Sequence, residues 1–237
     1  MRIRTILLLL AVAGAGCSPA PAPAPPQAQA PATDAQLAKS LELYRKLQQQ
    51  QSWELAAPIG QEIVAKYPGS PAAQEVQRTL ADASAKAGAL ATRRRLERLW
   101  IYQSGKESGG DQNTASIYSS DAAAENRVRL VLRRHSAWGQ SVYLFGSGKG
   151  FQCGASCTLA VRFDAQPPQR VSAYAPPSGE PAVFIKDDKA FLAKLAGAQK
   201  IGVDVSEKGK APRTLVFEVG GFDPAKFPPP GPPPKKH

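Results

Sequence analysis

Cys153 and Cys157 form a C-x3-C pair around Gly154-Ala155-Ser156. In an oxidising compartment such a pair forms a structural disulfide. Redox chemistry would instead call for C-x-x-C at a helix N-terminus, where the dipole lowers the thiol pKa. The flanking residues here read as strands and the three between them as a hairpin turn. A second group is cationic. Arg127, Arg129 and Arg133 alternate with Val128, Leu130 and Leu132, which places the three guanidinium groups on one face of a strand, joined by Arg134. Such a face could grip phosphates or carboxylates through the planar guanidinium fork, or be only a solvated surface. Along this stripe no aromatic residue interleaves with the arginines, which argues against nucleic-acid binding.

Other residues invite chemistry and support less of it. Gly146-Ser147-Gly148-Lys149-Gly150 lacks the G-x-x-x-x-G-K-[ST] spacing of a phosphate loop and leads into a strand, so it reads as a turn. His135 is the one internal histidine; with no G-x-S-x-G nucleophile elbow in the chain, it reads as a surface or edge residue. Asp187 or Asp188 reads as a helix cap. Neither paired carboxylates, a triad nor a metal-ligand set stands at recognisable spacing, and no cofactor is expected.

These residues sit in a chain of 237, with 30 Lys+Arg against 19 Asp+Glu and a net charge of +11. Hydrophobic residues make up 43% but aromatic ones only 7%, enough for modest cores and too little for a large catalytic barrel. No apolar run reaches the roughly 18 residues of a membrane span. A second cationic cluster, Arg93-Arg94-Arg95 with Arg98, closes the last turn of an expected helix, where positive charge complements the dipole.

The first residues carry an address. Arg2 and Arg4, the apolar run Ile6–Ala13, and Gly14-Ala15-Gly16 before Cys17 have the order of a secretory signal over residues 1–16. With the Cys directly after the small residues, the segment resembles a bacterial lipoprotein signal, although Gly14 stands where that pattern prefers Leu. The resemblance implies that Cys17 takes a diacylglycerol and becomes the mature N-terminus, and that Ser18 directs the protein to the outer membrane, periplasmic side. An ordinary signal peptide would give a soluble periplasmic protein. Residues 17–33 follow as a Pro/Ala tether, with polyproline character and a reach of roughly 50 Å.

Helical periodicity occupies residues 34–99. Asp34 is the expected N-cap of a first helix with Leu37, Leu41, Tyr44 and Leu47 on one stripe. A second stripe runs from Trp53 to Tyr67, with Pro58 expected to kink it or to mark its start. Ser70 and Pro71 open a third helix that continues to about Leu99. The order helix, helix, YPGSP, helix is similar to tetratricopeptide-like pairs of bacterial envelope lipoproteins. The competing reading is a helical hairpin plus one long helix.

From Trp100 the period becomes 2. Strands are expected at Arg127–Arg133, Ser141–Phe145, Cys157–Phe163, Arg170–Tyr174, Ala182–Ile185, Lys200–Val205 and Arg213–Val219, with one helix after Asp187. The fold class is α+β: helical hairpin plus long helix, then an antiparallel β-sandwich-like domain over residues 100–224 containing one helix, then a Pro-rich basic tail over 225–237. LVLRRHSAWGQSVYLF, FQCGASCTLAVRFD, AVFIKDDKAFLAKL and LVFEVGGFD resemble uncharacterised lipoproteins of Gram-negative bacteria and, more distantly, an accessory protein of type VI secretion. The resemblance implies a compartment and no catalytic residues. The expectation is a lipid-anchored, non-enzymatic module binding an envelope protein or an anionic envelope component. The alternatives are a hydrolase of a cell-wall or lipid-linked substrate, or a secretion accessory factor.

Overall fold

The computed structural model describes residues 30–120, 123 and 126–231; the signal segment, Cys17 and most of the tether lie outside them, as does the tail from residue 232. Three helices open the described chain: α1 (Ala30–Gln49), α2 (Trp53–Lys66) and α3 (Pro71–Glu97). Asp34 falls inside α1 and is not its cap. Pro58 is also interior to α2, which begins at Trp53 after Ser52. Pro58 does not mark the helix start, because the turn that precedes it is already closed by Leu55 and Ala56 donating to the Ser52 carbonyl. The start of α3 follows the sequence: the Ser70 hydroxyl accepts from the Ala73 amide at 3.1 Å, with Pro71 at the first helical position.

Tyr44, Leu47, Ala56, Ile63, Ala73 and Val76 pack the three helices into one apolar cluster. Gly60 allows the close approach, since a Cβ there would sit 2.7 Å from the Tyr44 ring. Beyond this cluster α3 continues as a bare rod. Residues 88–95 are all exposed, a length of about 12 Å at 1.5 Å per residue. The arginines of that segment are paired: Arg93 with Glu97, Arg94 with Glu54, and Arg95 with Glu218 through two hydrogen bonds of 3.0 and 2.7 Å. Arg95 holds the Glu218 carboxyl below its usual range.

The rod ends on the β-rich part. There Leu96 is buried beside Gly221, and the Trp100 indole N–H donates to the Val219 carbonyl at 3.3 Å. Nine strands follow: β1 (Ile101–Glu107), β2 (Gly110–Tyr118), β3 (Arg129–His135), β4 (Gly139–Phe145), β5 (Cys157–Phe163), β6 (Gln169–Tyr174), β7 (Ala182–Ile185), β8 (Ile201–Val205) and β9 (Arg213–Phe217), with α4 (Asp188–Leu195) between β7 and β8. Asp187 caps α4, accepting from the Ala190 amide at 3.0 Å. All neighbouring strands are antiparallel, and the architecture is α+β. They join as one nine-stranded sheet in the order β1-β2-β3-β4-β7-β6-β5-β8-β9. One face supplies a single core that runs from Ile117 and Leu130 through Leu144, Val183 and Val161 to Leu215. β1 and β2 are absent from the expectations above because β1 is almost wholly exposed and polar, so no alternation marks it.

Phe227, assigned above to the start of the tail, is buried at 1% exposure in this core. The Pro224–Lys226 turn leads to it, capped by Asp223, whose own amide donates to the Tyr102 hydroxyl at 2.7 Å.

Candidate functional site

The arginine stripe divides in the structure. Arg127 precedes β3 and is exposed. Alternation puts Arg129, Val131, Arg133 and His135 on one face of β3 and Arg134 on the other. Arg134 therefore does not join the stripe. It lies over the Phe227 ring at 4.5 Å and donates to the Phe227 carbonyl at 2.6 Å, pinning the C-terminal segment; burial pushes its pKa down.

The expectation that no aromatic residue interleaves with the arginines fails, for a reason that lies in the register. Antiparallel pairing sets Tyr118 and Phe145 on either side of Arg129, and the guanidinium lies 5.9 Å from the first ring centre and 5.6 Å from the second. Arg133 lies 5.5 Å from the Tyr143 ring and 5.3 Å from that of Trp138, in the β3–β4 turn. Tyr143 stacks on Phe184 at 4.6 Å, and Phe184 on Tyr174 at 5.4 Å, which extends the aromatic row across β7 and β6. Burial raises the Tyr143 pKa, and the charges of Arg133 and Arg129 oppose that rise. Among the described residues neither Arg129 nor Arg133 is paired with a carboxylate. Arg133 donates to the Ser141 hydroxyl at 3.1 Å. Arg93, Arg94 and Arg95 are each paired with a carboxylate, so these three members of the second basic cluster serve structure.

Beside Arg129 the face dips into a basin of about 280 Å³ whose lining includes Gln103, Ser104, Gln112, Thr114, Ser116 and Tyr143. Lys106 and Glu107 stand at its edge. Gln112 donates to Glu107 at 2.7 Å, while its Oε1 is buried with no hydrogen-bond partner among the described residues.

His135 is buried at 2% exposure, not at the surface. Its Nδ1 accepts from the Ala137 and Trp138 amides at 3.1 and 3.2 Å, which leaves Nε2–H to donate to the Glu107 carbonyl at 2.9 Å. Gly110 makes the room, since a Cβ there would collide with the imidazole. The Trp138 indole stacks on the ring at 3.9 Å. Both nitrogens are thus committed to backbone, and the imidazole shapes the β3–β4 turn.

Cys153 and Cys157 are joined by a disulfide, with Cα atoms 5.4 Å apart. The bond does not staple a two-stranded hairpin. Cys157 begins β5, while Cys153 lies in the loop after Phe151, where the Gly154 carbonyl accepts from the Ala175 amide. The loop it closes is short, so removing it costs about 2 kcal/mol in the chain-entropy account. Cys153→Ser with Cys157→Ser is expected to lower Tm by a few degrees and to leave ligand binding on the distant arginine face unchanged, checked by thermal unfolding with and without reductant.

Sequence reasoning missed a buried charge. Glu207 is 3% exposed, and it accepts from Arg213 Nε at 2.8 Å and from Lys210 Nζ at 3.2 Å. No spacing signalled it, because the acid lies outside any strand pattern and its environment comes from chain returning at Asn126 and Phe151. Among the described residues no group of three His, Cys, Asp or Glu is arranged to hold a metal ion, and no helix is long and apolar enough to cross a membrane.

No protein-family model matches the chain, and no curated protein does. Among solved structures, a crystal structure of invasion associated protein B from Bartonella henselae is similar at a TM-score of 0.37 and 20% identity, over 54% of this chain and 87% of that one. A likeness at that level assigns the chain to no family.

Proposed function

We propose that the protein is a non-enzymatic binding module of the bacterial envelope, held at the periplasmic side of the outer membrane by a lipid on Cys17, and that it binds an anionic partner through the outer face of β2, β3 and β4. The observation behind this reading is a contrast between arginines. Arg93, Arg94 and Arg95 of α3 are paired with carboxylates, whereas among the described residues Arg129 and Arg133 are framed by aromatic rings and a hydroxyl and by no carboxylate. A guanidinium over a ring keeps its charge and its in-plane N–H donors free for an anion. Three residues of strand separate the two, which sets them about 13 Å apart, so each addresses its own anionic group. The Pro/Ala tether would let this face work away from the bilayer, and the helical part, whether a tetratricopeptide-like pair or a simple hairpin, would offer a separate protein-binding surface.

The test is charge reversal. Arg129→Glu with Arg133→Glu should abolish salt-sensitive retention on immobilised polyphosphate, with the circular dichroism spectrum unchanged. Lys189→Glu with Lys208→Glu changes net charge equally at exposed positions away from the face and should leave most of the retention intact. Equal loss in both double variants would make the effect one of net charge and end the proposal.

A further inference from the structure

We infer that the arginine–aromatic face is a carbohydrate site whose ligand is an acidic glycan, with Arg129 and Arg133 taking its carboxylates and Trp138 and Tyr118 stacking against its sugar rings. The inference rests on the anion-binding reading above and names the chemistry of the ligand.

Three features of the face go beyond what a bare anion needs. The first is exposed ring surface. Trp138 is 50% exposed and Tyr118 44% exposed, although each lies against an arginine and Trp138 also against His135. Trp138 is held in place by the buried imidazole it stacks on, so little of its side-chain freedom is lost on binding, and Tyr118 lies beside the Arg129 guanidinium. A flat, fixed aromatic surface next to a cation matches a sugar ring that bears an acid: the axial C–H groups lie on the ring and the carboxylate meets the guanidinium.

The second feature is the polar basin. Gln103 and Thr114 in the Arg133 row, and Ser116 in the row between the two arginines, offer an amide and hydroxyls. A sugar hydroxyl both donates to and accepts from such groups, whereas a polyphosphate oxygen only accepts. The third is the mixed charge of the rim. Glu107 lines the basin together with Lys106 and Arg129, so charge there is sparse and of both signs, which suits hydroxyls and widely spaced carboxylates better than a dense phosphate backbone. Single-stranded nucleic acid would find rings to stack on but few cations to track its phosphates. An acidic polysaccharide, with wider charge spacing and many hydroxyls, satisfies all three features together.

The spacing also fits a chain ligand. Arg129 and Arg133 flank the central row Ser116, Val131 and Tyr143, so a polymer lying along β3 reaches both guanidinium groups while its middle rests on the Tyr143 side. Along the strand that distance is about 13 Å, longer than one sugar residue.

The purified chain is titrated by calorimetry with an oligomer of galacturonate, a neutral dextran oligomer of similar length, polyphosphate, and single-stranded DNA. The galacturonate oligomer should bind at least tenfold more tightly than the other three. Arg133→Ala, Trp138→Ala and Tyr118→Ala should each weaken it about tenfold while the fold, checked by circular dichroism, is retained. If polyphosphate or single-stranded DNA binds as tightly as the galacturonate oligomer, the carbohydrate inference falls and the anion-binding reading stands. Equal binding of the neutral oligomer, or binding of none of the four, overturns both. Galacturonate binding that is unchanged in both Trp138→Ala and Tyr118→Ala overturns the stacking role.

Discussion

Replacing Gly221 by alanine should lower stability by about 3 kcal/mol, at the upper end of overpacking effects. A Cβ at this position would overlap the carbonyl of Leu96 and the amide of Glu97, the backbone where α3 ends. Most overpacked side chains find relief by changing rotamer, but here backbone meets backbone. Either the segment 219–223 or the end of α3 must move. That movement strains a compact set of contacts: the Trp100 indole on the Val219 carbonyl, the Trp100 ring 5.0 Å from Phe222, and the Asp223 amide on the Tyr102 hydroxyl. It also disturbs the neighbouring Arg95–Glu218 pair, the ion pair that ties the helical rod to the strands. The expected Tm loss is roughly 6–12 °C for a chain of this size. Gly88→Ala, at an exposed helical position with nothing near its missing Cβ, should be neutral or slightly stabilising and serves as the control. A Gly221→Ala protein that melts with the wild type would mean that α3 is not held to the β-rich part by this contact.

Removal of the Glu207 carboxylate should have an effect of similar size. The group is 3% exposed, and Arg213 and Lys210 surround it at 25% and 40%. Breaking a fully buried pair costs about 3–5 kcal/mol because a charge is left without a partner. Here the cations keep some access to water, so about 2–3 kcal/mol is expected for Glu207→Ala. The network has reach. Arg213 also donates to the Asn126 carbonyl at 2.7 Å and Lys210 to the Asn126 side chain at 3.3 Å, while the Glu207 backbone bridges to Phe151. Loss of the acid therefore loosens the β8–β9 connection from the chain that enters β3. Urea unfolding measures the cost, and a double-mutant cycle with Arg213→Ala isolates the pair. The double variant should be little worse than Glu207→Ala alone. If the two losses simply add, the carboxylate and guanidinium are not coupled.

Neither prediction has a trace in local sequence. Gly221 reads as half of a Gly-Gly turn, and Glu207 as one acid in a polar loop. Their weight arises from backbone more than 100 residues away in the first case, and in the second from the fold that buries Glu207 with the nearby Lys210 and Arg213 against Asn126 and Phe151. The candidate site shows the same division. Arg129 and Arg133 are legible as outward residues of β3, because period 2 sorts side chains to two faces with no knowledge of the partner strand. Tyr143 and Phe145 alternate with Val142 and Leu144 and are equally legible as outward on β4. What the alternation lacks is the offset between strands. Only the β3–β4 register places Phe145 opposite Arg129, and only the β2–β3 register brings Tyr118 there.

Arg134 and His135 show the limit from the other side. Adjacent basic residues at a strand end look alike in sequence and were expected at the surface or on the stripe. Alternation alone turns Arg134 to the other face of β3, but only the tertiary structure brings Phe227 from far down the chain to meet it there, and His135 is buried because Gly110 leaves its space open.

By itself the sequence determined the features whose causes act over a few residues. These are the Ser70-Pro71 start of α3, the Asp187 cap of α4, seven of the strands through their alternation, and the cysteine pair four residues apart. Side-chain capping and strand pleating are short-range interactions, complete within one turn or one pleat. The tertiary structure alone decided the order of the nine strands, the burial of Glu207 and His135, and the framing of two arginines by aromatic rings. Each of those depends on strand register and on loop closure between distant segments, which local propensity does not encode.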